Sequence, residues 1–207
     1  MRKTAKKSSK AAYAALIVLM PIIVYLLSFG SLIHNVPAIE KHMEKSGIIG
    51  YSKTVNSFVV YYLMDPDETR LLELEIFSEE EKQHLLDVKI LVHRAFDFLF
   101  LMLVSFFVLI YFNHKFSKSK NFSKILVYSG MITAAIPIIL YFIPFGLLFS
   151  AFHSIFFAEG SWVFAQGSAL VQIYPFGFWY SIAFSFFLRG FVTGWLLIIT
   201  GFIVGKK

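Results

Sequence analysis

The sequence predicts an all-α membrane protein with four transmembrane helices and a small extracellular cap that includes a short β element. Three observations lead there. Of 207 residues, 57% are hydrophobic and 25 are Phe, with a mean hydropathy of +0.70; a soluble domain could not hide that much apolar surface. Four runs, Ala11 to Phe29, Ala95 to Phe112, Ile125 to Phe149 and Phe178 to Val204, each approach or exceed the length of about 20 mostly apolar residues that a helix needs to cross hydrocarbon. Positive charge gathers at Arg2, Lys3, Lys6, Lys7 and Lys10, at Lys115, Lys118, Lys120 and Lys124, and at Lys206-Lys207. Four spans put these three clusters on one side, and Lys and Arg beside spans are retained in the cytoplasm far more often than they are translocated.

With flanking turns included, the spans run over about 11–33, 88–112, 124–149 and 178–204 of one integral membrane domain, leaving a cap of about 34–87 plus 150–177. Both termini are expected in the cytoplasm. The first run is longer than the apolar region of a signal peptide and no small-x-small cleavage site follows it, so it is expected to stay as an anchor. The net charge of +6 then reflects topology and anionic inner-leaflet lipid, and no nucleic-acid partner is implied. The chain has no Cys, which excludes disulfides, a thiolate nucleophile and cysteine metal sites.

After the first span, the segment from His34 to Asp87 holds 11 of the 13 acidic residues. Between Ser52 and Met64, the residues Val55, Phe58, Val59, Tyr62 and Leu63 recur at helical spacing and form an apolar face suited to the bilayer surface or the other spans. Met64-Asp65-Pro66-Asp67 ends that helix with turn chemistry. Leu72-Glu73-Leu74-Glu75-Ile76 alternates with period two and predicts a short strand. Ser78 and Glu81 form a capping box, so a helix is predicted to begin near Glu79 and run into the second span. On it His84 shares a face with Asp87, Val88 and Leu91 and points inward above the lipid. Asp87, one turn away, could fix the imidazole tautomer and stabilise its charged form; a plain surface ion pair explains the pair equally well.

The second external piece, Ser150 to Gly177, is rich in aromatic residues around His153, with Trp162 and, just beyond, Trp179 among them. Interfacial anchoring accounts for some of these rings; an apolar pocket under the cap accounts for their gathering around one His. Asp97 and Arg189 fall within the spans, where charge is costly in lipid, so both are expected to face the bundle interior and pair, with a substrate-carbonyl role for Arg189 as the alternative. His93 and Arg94 sit one turn above Asp97 and belong with its interfacial hydrogen bonds. No HExxH, GxSxG, P-loop or GxGxxG motif is present. The outer histidines His34, His42, His84, His93 and His153 fit no familiar zinc-ligand spacing, and no metal or other cofactor is expected.

The pieces VNSFVVYYL, FSEEEKQHLLDVK, FHSIFFAEGSWVF and LVQIYPFGFW, in that order between these spans, resemble the lipoprotein intramolecular transacylase family over essentially the whole chain. Gly160 stands where the family usually has an acidic residue before Ser-Trp, with Glu159 one place earlier, and Ser168-Ala169-Leu170-Val171 departs from an acidic-Thr-Leu-Ile stretch. The resemblance implies a membrane acyltransferase acting at the outer membrane-water boundary on a diacylglyceryl-modified lipoprotein, moving the sn-2 acyl chain to the α-amino group of its N-terminal cysteine. It implies His84 and His153 as the catalytic pair; Asp87, Asn56, Trp162, Trp179, Arg189 and Asp97 are read as orienting or substrate-binding residues. On this reading His84, with Asp87 beside it, takes the amine proton, and His153 serves the leaving oxygen. The rival readings are a metal-dependent membrane hydrolase and a non-enzymatic assembly or sensor protein.

Overall fold

A computed structural model describes residues 2–48, 51–112 and 119–206; Lys115, Lys118 and Lys207, used above to orient the chain, lie outside them. The order is α1 (Arg2–Ile33), α2 (Val36–Lys45), α3 (Tyr51–Met64), a 3-10 turn (Arg70–Glu73), α4 (Glu79–Phe112), α5 (Ser119–Tyr141), α6 (Phe145–Phe156), α7 (Ala169–Ile173) and α8 (Phe176–Gly205). Among the described residues, four helical stretches are long and apolar enough to cross a membrane: Lys10–Ile33, Glu79–Tyr111, Asn121–Tyr141 and Phe176–Gly205. The chain divides into two compact units, one of residues 1–29, 97–142 and 186–207, the other of residues 30–96 and 143–185.

The first unit packs helices through small residues and hydroxyl groups. Helices α1 and α5 carry internal prolines, Pro21 and Pro137. Each lacks an N–H and so frees the carbonyl four residues earlier. Both freed carbonyls are answered from another helix: Tyr25 Oη donates to the Thr133 carbonyl at 2.9 Å, and Ser129 Oγ donates to the Ile17 carbonyl at 3.2 Å. Lipid offers no water to take up a bare carbonyl, so such side-chain donors make intramembrane proline tolerable. Helices α5 and α8 meet where only glycine fits. A Cβ added to Gly130 would lie 2.6 Å from the Gly194 carbonyl oxygen, and one on Gly194 would lie 2.7 Å from the Ala134 nitrogen.

The second unit has its own apolar core, which includes Ile39, Met43, Val55, Val59, Tyr62, Leu71, Phe77, Leu85, Leu170, Ile173 and Phe178. Helix α2 begins at Asn35, whose side chain accepts from the Ala38 N–H, with Pro37 in the first turn. The buried face of α3 is rotated from the one expected. Val55, Val59, Val60 and Tyr62 are buried, and Asn56 is buried with them at 1% exposure, whereas Phe58 is 47% exposed.

The predicted strand over Leu72–Ile76 does not form. Arg70–Glu73 is a 3-10 turn and the following residues are turn and bend, with Leu71 and Phe77 providing the buried anchors. Alternation alone makes no strand without a neighbouring edge to satisfy its backbone groups. The helix expected from Glu79 does run unbroken into the second span, and its capping box is in place: Glu81 N–H donates to Ser78 Oγ at 3.3 Å and Ser78 N–H to Glu81 Oε2 at 2.8 Å. Lys89 on α4 is buried; its Nζ donates to the Glu68 carbonyl at 2.8 Å and lies 4.4 Å from the Tyr62 ring centre.

The third span also departs from the expected 124–149. Helix α5 stops at Tyr141, and Pro144 sits at the N-cap of a separate helix, α6. A residue preceding proline is steered out of the helical region, here Ile143, so an apolar run that looks continuous is divided. The 12 residues of α6 extend about 18 Å at 1.5 Å per residue, short of the roughly 30 Å hydrocarbon core.

Candidate active site

His84 stands near the start of α4, and His153 in the last turn of α6. The second unit brings them together: the rings stack with centroids 6.2 Å apart and planes 24° apart. Phe157 and Phe164 lie edge-on to His84 at 4.9 and 5.5 Å. Around His153 stand Phe149 at 4.1 Å, Trp162 at 4.8 Å, Phe152 at 5.4 Å and Phe157 at 5.5 Å. His84 is buried at 9% exposure and His153 is half-buried. The two imidazoles therefore share one aromatic-walled place.

The hydrogen bonds distinguish the two rings. His153 Nδ1 lies 2.7 Å from the carbonyl oxygen of Phe149, one turn earlier on α6. A carbonyl only accepts, so Nδ1 carries the proton and a neutral His153 presents a lone pair at Nε2. Burial holds this imidazole below the usual histidine range, against the opposing effect of the Phe149 carbonyl bond. His84 Nδ1 is buried with no hydrogen-bond partner, a costly state for a polar atom that a bound group would relieve. Two imidazolium charges at this separation would repel, so adding a proton to one ring opposes adding it to the other.

Asp87 makes no hydrogen bond to the buried Nδ1 of His84; its Oδ1 accepts from Gln83 Nε2 at 3.1 Å, while its charge still acts on the imidazole. Trp162 packs on His153, and Trp179 stands 6.4 Å from Phe149 and 5.8 Å from Tyr174. Asn56 belongs to this unit too. Its Oδ1 accepts from Tyr174 Oη at 3.0 Å, while its Nδ2 is buried without a partner. Asp97 and Arg189 belong to the other compact unit.

Of the outer histidines, His34 Nδ1 lies 2.8 Å from the Gly30 carbonyl oxygen and His42 Nδ1 lies 2.5 Å from Ser181 Oγ. His93, in the second unit, has its Nε2 buried without a partner. Among the described residues no three or more His, Cys, Asp or Glu side chains gather as a metal site would require. Reading the sequence missed the Phe149 carbonyl and the packing of Phe164, one of that segment's aromatic residues, on His84. The first had a signal, because His153 follows Phe149 by one helical turn; it was hidden by ending the third span at Phe149 and placing His153 in the external piece beyond it.

An all-helical integral membrane protein with two stacked imidazoles in an aromatic enclosure is the class this fold and geometry define. The chain belongs to the lipoprotein intramolecular transacylase family, whose model matches residues 14–179. Its fold is similar to the solved structure of the membrane-integral lipoprotein intramolecular transacylase of Bacillus cereus, at a TM-score of 0.78 and 17% identity over 98% of each chain. Two mutant forms of that protein match as well. One, with a histidine-to-arginine mutation, has a TM-score of 0.76 and 16% identity, covering 99% of this chain and 95% of that one. The other, with a histidine-to-alanine mutation, has a TM-score of 0.76 and 14% identity, covering 99% and 97%. A search of curated protein sequences finds no match.

Proposed function

We propose that this chain moves the sn-2 acyl chain of a diacylglyceryl lipoprotein onto the α-amino group of the same lipoprotein's N-terminal cysteine, with His84 and His153 as the proton-transferring pair. The observation that carries the reading is the stacking of the two rings at 6.2 Å inside an aromatic enclosure. Membership of the transacylase family supports the same chemistry.

In the reaction the amine nitrogen attacks the ester carbonyl, the C–N bond of an amide forms, the C–O bond to glycerol breaks, and one proton passes from nitrogen to the released glyceryl oxygen. The α-amino group has a pKa of about 7.7–8.0 and is mostly charged at neutral pH, so it first gives up one proton to solvent, and a base must take the second as nitrogen attacks. His153 suits that role better than His84, contrary to the expectation from Asp87: the Phe149 carbonyl holds its proton on Nδ1 and leaves Nε2 to accept. His84 then serves the departing oxygen. Acid-base help of this kind contributes about 10²- to 10⁴-fold.

Attack closes a medium-sized ring through N, Cα, Cβ, S, two glyceryl carbons, the ester oxygen and the carbonyl carbon. That closure is entropically poor for a flexible lipid, and confinement between aromatic walls can supply on the order of 10³-fold or more. No protein nucleophile is required. The proposed topology has cytoplasmic termini, with the histidines at the outer membrane-water boundary, where the lipoprotein and the surrounding lipids meet. Mass spectrometry of a lipoprotein N-terminus from cells with and without this chain tests the reading: the acyl chain on nitrogen should appear only when the chain is present.

A further inference from the structure

The segment between α6 and α7 supplies Trp162 to His153 and Phe164 to His84. At its start the Phe157 N–H donates to the His153 carbonyl at 2.8 Å; further along, Ser161 bonds to Ala158 and Ser168 to Ala165, within the segment itself. At its far end the Leu170 N–H donates to Glu81 Oε1 at 2.7 Å across 89 residues of sequence. The other carboxylate oxygen, Oε2, accepts from the Ser78 N–H. Glu81 is 2% exposed and lies on α4 one turn before His84. A buried carboxylate with each oxygen on a backbone N–H is a strong, directional tie, and it joins the helix of one histidine to the strap that covers both.

We propose that Glu81 is a positioning residue for the acyl transfer, one that holds the Leu170 amide and thereby fixes the strap laying Trp162 and Phe164 against the two imidazoles. The inference rests on the transfer reading above and adds a residue to it. Glu81 acts through the strap and touches no reacting atom. An ordinary capping-box role would need only Oε2; the use of Oε1 for Leu170 separates the two functions.

That separation defines the experiment. The full chain and its variants E81Q, E81D and S78A are assayed in micelles on a synthetic diacylglyceryl-cysteine lipopeptide, with kcat, KM and thermal unfolding measured for each. Ser78→Ala weakens the helix start and leaves the Leu170 tie intact. Glu81→Gln turns an NH2 toward one of the two backbone N–H groups, and Glu81→Asp keeps a carboxylate too short to reach both. The expected result is a kcat lowered about tenfold or more in E81Q, since displacements near 1 Å can cost 10²-fold, with KM within about twofold and S78A at the wild-type kcat. Should E81Q fail to fold, E81D is judged by the same criteria. A wild-type kcat in the Glu81 variant, or equal losses in it and S78A, would overturn the inference while leaving the transfer reading standing. A wild-type chain that leaves the lipopeptide unconverted would overturn the transfer reading, and this inference with it.

Discussion

His84 and His153, 69 residues apart in sequence, stack their imidazoles with centroids 6.2 Å apart. Neither lies on an element that would place it there by local preference. Helix α4 carries one ring and α6 the other, and aromatic side chains close the space around both. Such a pair can give and take a proton on a single substrate.

Burial lowers the His153 pKa, which determines the shape of the pH profile. In the proposed transfer the working form of the base is neutral, and protonation removes it. Because the folded value lies below the ordinary one of about 6.5, activity should persist as pH falls past that value and disappear only as pH drops through the lowered one. Trp162→Ala, which opens one wall of the ring, should move the acid limb of the kcat profile upward. A limb at the ordinary histidine value in the unaltered chain would contradict the tautomer and burial argument.

Asn56 and Tyr174 form a buried hydrogen bond at 3.0 Å. Tyr174→Phe leaves the Asn56 amide oxygen unanswered at 1% exposure, and a buried polar group left without its partner costs about 1–3 kcal/mol. Thermal or denaturant unfolding of the Y174F variant in detergent should register that loss, and an unchanged midpoint would count against the bond.

The hydroxyl of Tyr25 answers a carbonyl that Pro137 sets free. Tyr25→Phe should therefore cost about 1 kcal/mol of stability, and should cost less when Pro137 is already Ala, because the helix then recovers its own N–H donor. The two effects are non-additive by construction, and a double-mutant cycle on unfolding free energy measures the coupling. Strict additivity would show that the hydroxyl has no such role.

Close approach of α5 and α8 at Gly130 and Gly194 makes a third packing test. With backbone atoms of the facing helix 2.6 and 2.7 Å from the added carbon, Gly194→Val must displace a helix, and overpacking of this kind typically costs about 1–3 kcal/mol. A folded variant of unchanged stability would contradict the described contact.

Much of this was legible in the sequence, and the parts that were not share a cause. Apolar length and the Ser78-x-x-Glu81 box are local signals, so the long helices and the start of α4 could be read directly. The break before Pro144 was masked because the residues on both sides are equally hydrophobic. Leu72–Ile76 looked like a strand because alternation carries no information about a pairing edge. Helix α2 passed unread although Asn35 and Pro37 mark its start. Phe58 was placed on the apolar face of α3 by spacing and hydrophobicity, whereas the arc that faces the core holds Asn56 and leaves Phe58 exposed. Tyr25 with Thr133 and Glu81 with Leu170 are long-range pairs whose partners are backbone groups, and no side-chain pattern announces those. His84 and His153 stood out because the residues around them matched a known family; their stacking is a property of the fold.

The most direct measurement is the first-order conversion of a diacylglyceryl-cysteine lipopeptide to its N-acyl, lyso form by purified full-length chain, followed by mass spectrometry for wild type, His84→Ala and His153→Ala. The account predicts that each substitution lowers kcat by about 10²- to 10⁴-fold while the protein stays folded. Full turnover in either variant would remove that histidine from the proton transfer and contradict the account.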